Sequence, residues 1–105
     1  MRALFEAFAQ RLEQGEYRQS CAAGCVSLDL GPELEDVRHA VEAAFERYVE
    51  VIASHFPHLQ PRRARSFGGF VLTAIEGAYL RGRAELSASA FREAATWIAP
   101  LARGD

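Results

Sequence analysis

The sequence predicts an all-α domain. Apolar residues recur at three/four spacing in four separate stretches, Gly15, Pro32, Pro57 and Pro61 fall at their edges, and no segment shows strict alternation between turn residues. In the first stretch Leu4, Phe5, Phe8 and Leu12 share one face, with Arg2, Glu6, Gln10 and Glu13 opposite. Gly15 offers it a left-handed stop. In the second, Leu34, Val37, Val41, Ala44, Phe45, Tyr48, Val51, Ile52 and His55 keep helical spacing, and Arg38, Glu42, Glu46 and Glu50 fill the back. Pro32 suits its first helical position, and Pro57 forbids continuation beyond Phe56.

A third helix starts at Pro61 and runs to about Arg81. Between Phe67 and Leu80 only Thr73 and Glu76 are polar, so this helix must be buried on more than one side. The last begins near Ser87, an N-cap candidate with a Leu86–Phe91 hydrophobic staple, and continues through Ala94, Ala95, Ile98 and Leu101. Pro100 lies late enough to affect only its final turn. Between the first two long helices, CAAGCVSLDLG is small and apolar and reads as a short helix followed by a turn from Asp29 to Pro32.

A chain of 105 residues is one domain with one core. The net charge of -2 argues against a nucleic-acid footprint, which needs clustered basic residues. All the basic charge apart from histidine comes from Arg, and the run Arg62, Arg63, Arg65 reads as a solvated helix end. No stretch supplies the apolar length of about 18 residues that a membrane helix requires. Glu6 stands where a signal peptide has its apolar core, so the expected compartment is the cytoplasm.

Four glycines lie within SFGGFVLTAIEGAYLRGR, although each costs a helix interior about 1 kcal/mol relative to alanine. On a helical wheel Ser66, Gly69, Thr73 and Gly77 line one stripe, and Phe67, Val71, Ile75 and Ala78 line another. Small residues four apart let two helix backbones approach closely. The expected use is a two-fold homodimer, in which the last two helices of each copy, with Trp97 and Leu101 on the final one, form a four-helix interface. Close packing against the second helix of the same chain is the alternative use of the stripe.

The order CAAGCVSLDL, long amphipathic helix, FVLTAIEGAYLRGRAE and final helix resembles the C-terminal regulatory domain of TetR/AcrR-type transcriptional repressors, in the subgroup with a Gly-Cys motif before the long helix. Cys21 and Gly24 match the first motif; Glu76, Gly77, Ala78 and Arg81 match the "EGA…AR" signature of the penultimate helix. Ser20 and Cys25 depart from the subgroup's usual residues. The resemblance implies a helical bundle that dimerises through its last two long helices and binds a small, mostly apolar or aromatic effector between the earlier ones. It also implies that DNA is read only by an N-terminal helix-turn-helix unit. That unit is missing from this chain, so residues 1–105 are expected to be a single ligand-binding and dimerisation domain.

A regulatory pocket needs apolar walls and a few orienting polar groups. Phe5, Phe8, Leu12, Cys21, Cys25, Phe45, Tyr48, Ile52 and His55 supply both, with Tyr48 and His55 as the expected polar contacts two turns apart. Each also reads as plain core. Cys21 and Cys25 at i, i+4 on a helix are too far apart for an unstrained disulfide, and zinc needs two further ligands. Both read as buried free thiols, with a redox-sensing role left open. No phosphate-cradling glycine loop is present, and Glu76, the one carboxylate buried by pattern, reads as a hydrogen-bond or ion-pair partner. No enzymatic activity, cofactor or metal is expected. The expected function is effector binding and homodimerisation in a TetR-like repressor; the alternative is a free-standing helical dimer that sequesters a full-length regulator.

Overall fold

The computed structural model describes residues 1–17, 21–27 and 30–103, the side chains at 22, 25 and 26 excepted. Its elements are α1 (Arg2–Gln14), α2 (Ala22–Ser27), α3 (Glu35–Ala53), α4 (Pro61–Glu85) and α5 (Ser89–Ala102). The described residues contain no strand, and the chain is an all-α bundle as its periodicity predicts. Helix α4 runs through the middle, with α3 packed on one side and α5 on the other; α1 lies on α5, and α2 rests on α3. The extents of 43 × 32 × 16 Å describe a slab about two helices thick, which leaves one side of α4 uncovered.

The apolar stripes place the core where α1, α4 and α5 meet. Phe5, Leu12, Val71, Phe91 and Ile98 are its fully buried large side chains. Phe91 stacks on Phe8 at 5.9 Å and takes Tyr79 edge-on at 5.0 Å, while Phe8 and Tyr79 meet edge-on at 5.7 Å. Such ring pairs add about 0.5–1.5 kcal/mol each beyond area burial. Outside this core, Arg92 of α5 donates hydrogen bonds of 3.0–3.1 Å to both carboxylates of Glu6 and Glu13 on α1. The Arg92 guanidinium holds the Glu6 carboxyl below the usual carboxylate range.

Four local expectations are corrected. Gly15 has φ -85°; the left-handed residues are Glu16 and Tyr17, at 56° and 63°. The turn comes later because Tyr17 donates to the Leu12 carbonyl at 2.8 Å and packs on the core. Pro32 precedes α3 instead of opening it: residues 31–34 form a turn closed by Leu34 N–H to Gly31 O at 3.0 Å, and Leu34 is the N-cap. Helix α4 continues to Glu85, four residues past Arg81, and ends on Leu86 in the left-handed region at φ 51°. That conformation leaves Leu86 66% exposed, so no staple to Phe91 forms. Helix α5 accordingly starts at Ser89, whose N–H donates to the Ser87 Oγ at 3.1 Å.

The glycines of α4 separate into two pairs. A Cβ at Gly68 would stand 2.9 Å from the Val49 carbonyl and 3.3 Å from the Ala53 nitrogen, and one at Gly82 would strike the Leu12 side chain. These two let α3 and α1 approach. A Cβ at Gly69 or Gly77 would meet nothing within 4 Å. Packing against the second long helix is therefore the work of Gly68, and the stripe through Gly69 and Gly77 is bare in the single chain.

Candidate functional site

A cavity of about 460 Å³ opens where α1, α3 and α4 diverge. Helix α1 contributes Leu4, Phe8 and Arg11; α3 contributes Tyr48, Val51 and Ile52; α4 contributes Leu72, Ile75, Glu76 and Tyr79; and Cys21 stands at the start of α2. The lining is mostly apolar, and the volume lies within the range of about 300–1,000 Å³ usual for small-molecule sites. The α3 wall is the open one: Tyr48 and Val51 are 41% and 60% exposed.

The polar groups on the α2 side form one cluster. The Oε2 of Glu76 lies directly over Gly24, where an added Cβ would collide with it. The Cys21 thiol stands beside the same carboxylate in the cavity lining. Burial, then the neighbouring Glu76 carboxylate, pushes the Cys21 thiol above its ordinary value and so disfavours the thiolate. Burial likewise raises the Tyr79 phenol, while the Arg11 charge partly opposes the rise.

Of the residues expected to bind a ligand, the cavity gathers Phe8, Cys21, Tyr48 and Ile52. Phe5 is fully buried in the core, one helical position from the cavity wall. Phe45 stacks edge-on against Tyr48 at 6.3 Å and does not line the cavity. His55 lies past the end of α3, its Nδ1 2.9 Å from the Val51 carbonyl and its ring exposed beside Met1, Phe56 and His58. The Cys25 side chain falls outside the described residues. The contribution of α4 is the part the sequence reading missed. Leu72, Ile75, Glu76 and Tyr79 follow i, i+3, i+4, i+7 spacing, a signal that was legible but that does not say which neighbouring helix stands away from it.

A second feature is the outward side of α4 with α5. Ser66 and Thr73 are exposed alongside Gly69 and Gly77, and Phe70, Leu80, Trp97 and Leu101 are 51%, 55%, 80% and 48% exposed. Gly77, Ala78 and Trp97 border a shallow groove between the two helices. A cluster of large apolar side chains flanking a side-chain-poor stripe is the usual mark of an interaction surface. Among the described residues no three His, Cys, Asp or Glu converge on a metal position, and no helix is long and apolar enough to cross a membrane.

The family match places this bundle in a class, the C-terminal regulatory domain of TetR-type transcriptional regulators. The family model described as "Transcriptional regulator LmrA/YxaF-like, C-terminal domain" matches residues 1–97, and the chain belongs to that family. Comparison with curated proteins and with solved structures found no match. Membership makes this a ligand-binding and dimerisation domain of a TetR-like regulator, a kind of domain that typically dimerises, takes small effectors and is generally non-enzymatic.

Proposed function

We propose that this domain senses a small, mostly apolar or aromatic ligand for a transcriptional repressor of the cytoplasm, and that it works as a homodimer. DNA is read by a helix-turn-helix unit joined to it in the whole regulator. The observation that carries the reading is the double use of α4. Ile75 and Tyr79 face the cavity, while exposed Thr73 and open Gly77 lie nearly half a turn round the same helix, with Gly69 and Glu76 on one line between the two sides. A ligand that wedges α3 away from α4 changes the tilt of the helix that meets the second copy. It thereby favours one spacing of the attached DNA readers over another.

The proposed ligand contacts are Phe8, Cys21, Tyr48 and Ile52 with the α4 residues opposite them. The proposed dimer surface is Ser66, Gly69, Thr73, Gly77, Trp97 and Leu101. Sedimentation velocity tests the arrangement. The chain is expected to run as a dimer, and Gly77→Leu as a helical monomer, because a branched side chain separates surfaces that only glycine lets touch. A Gly77→Leu dimer as tight as the parent would refute the surface. In the whole regulator, a bound ligand is expected to lower operator occupancy; a rise would overturn the repressor assignment.

A further inference from the structure

Among the described residues Glu76 is the one carboxylate in the cavity lining, and it is half-buried. Leu72, Ile75 and Tyr79 stand on the same helix face with no charge of their own, and the neighbouring Cys21 thiol is a weak donor. A carboxylate offers about four acceptor positions, more than one thiol can fill. Gly24 sets where that capacity points, because the missing side chain lets the carboxylate lie against the backbone of α2.

The remaining walls suit the same charge. Phe8, Tyr48 and Tyr79 present aromatic rings to the cavity, and ring faces attract cations. Arg11 is the other charged group in the lining, and it works against this preference. It is exposed on α1, so its guanidinium is better solvated than the half-buried carboxylate, while its charge still reaches Tyr79. The interior charge is negative and the charge at the rim is positive.

We infer, on the reading that this cavity is the effector site, that it selects lipophilic organic ammonium compounds, whose N–H donors meet Glu76 while an apolar or aromatic body lies among Phe8, Tyr48, Ile52 and Tyr79. The selection is electrostatic at one end and non-directional at the other, which admits bodies of varied shape and demands a cationic nitrogen.

Calorimetry at neutral pH with three probes of one ring system tests it: naphthylmethylammonium, naphthylmethanol and naphthoate. The ammonium is expected to bind about tenfold or more tightly than the alcohol, the margin of a charge-assisted hydrogen bond, with the carboxylate weakest. Glu76→Gln is expected to bring the ammonium down to the alcohol and leave the alcohol unchanged. Arg11→Gln is expected to tighten the ammonium. Equal affinities for the three probes in the parent chain, or a preference for naphthoate that Arg11→Gln removes, would overturn the charge selection while leaving the effector site standing. Failure of all three to bind would overturn the effector site itself, and the charge selection with it.

Discussion

The two flanks of α4 are built differently. On the α5 side, Phe91 and Ile98 are fully buried, three aromatic rings interlock, and Arg92 ties α5 to α1 from outside. On the other side α3 buries only Val41 below the surface, while Leu34, Val37, Tyr48 and Val51 stay exposed. Its closest approach to α4 is made by backbone at Gly68. The ion pairs of α3 run along its own surface or to Arg65, where exposed pairs add little. One flank is held by fully buried side chains and the other by close backbone contact with few fully buried side chains. The cavity lies at the seam between them.

That contrast can be broken most directly at Phe91. Phe91→Ala is expected to cost about 3–5 kcal/mol in denaturant unfolding, because Phe8 and Tyr79 lose their common partner. Val51→Ala on the opposite flank is expected to stay within about 0.5 kcal/mol. Similar losses at both sites would mean that α3 is as firmly built as α5.

The glycine pairs sharpen the comparison at the next level. Gly68→Ala forces the Val49 carbonyl to move and is expected to destabilise by about 1–2 kcal/mol even after the gain in helix propensity. Gly69→Ala, one residue away, meets open space and is expected to stabilise the monomer by up to about 1 kcal/mol. Thermal melts of the two variants decide it, and a shift of the same sign in both would remove the distinction between packed and bare glycines.

The smallest effect belongs to the Arg92 clamp, whose partners are more than a third exposed. Arg92→Gln is expected to lower Tm by a few degrees, as weak surface networks do. Because the Glu6 carboxyl is depressed in the folded state, its contribution is present above the ordinary carboxylate pKa and is lost as pH falls through the folded value. The Tm gap between parent and variant should therefore shrink as pH falls below the ordinary carboxylate value of about 4.3. A gap that persists there would assign the loss to packing of the Arg92 stem.

Much of the bundle was legible because long apolar periods and prolines act locally. The four long helices, the small helix before α3 and the harmless Pro100 in the last turn of α5 all follow from that. What was not legible is decided by partners far along the chain. Tyr17 moves the α1 stop from Gly15 because it packs on the core, and Leu86 adopts a left-handed backbone to turn α4 into α5. The aromatics of α1 and α3 and the two cysteines mark a pocket wall in the sequence, yet Phe5 lies in the core while α4 supplies a further side of the cavity. Periodicity gives a face; only the packing says whether that face meets a neighbour or a void.

The contact between Gly24 and Glu76 gives the domain an adjustable part. The atom that a side chain at 24 would displace is the tip of a flexible carboxylate, which can swing aside at little expense to the fold. Alanine or serine there would re-aim the cavity's acid from behind, from a position outside the cavity lining.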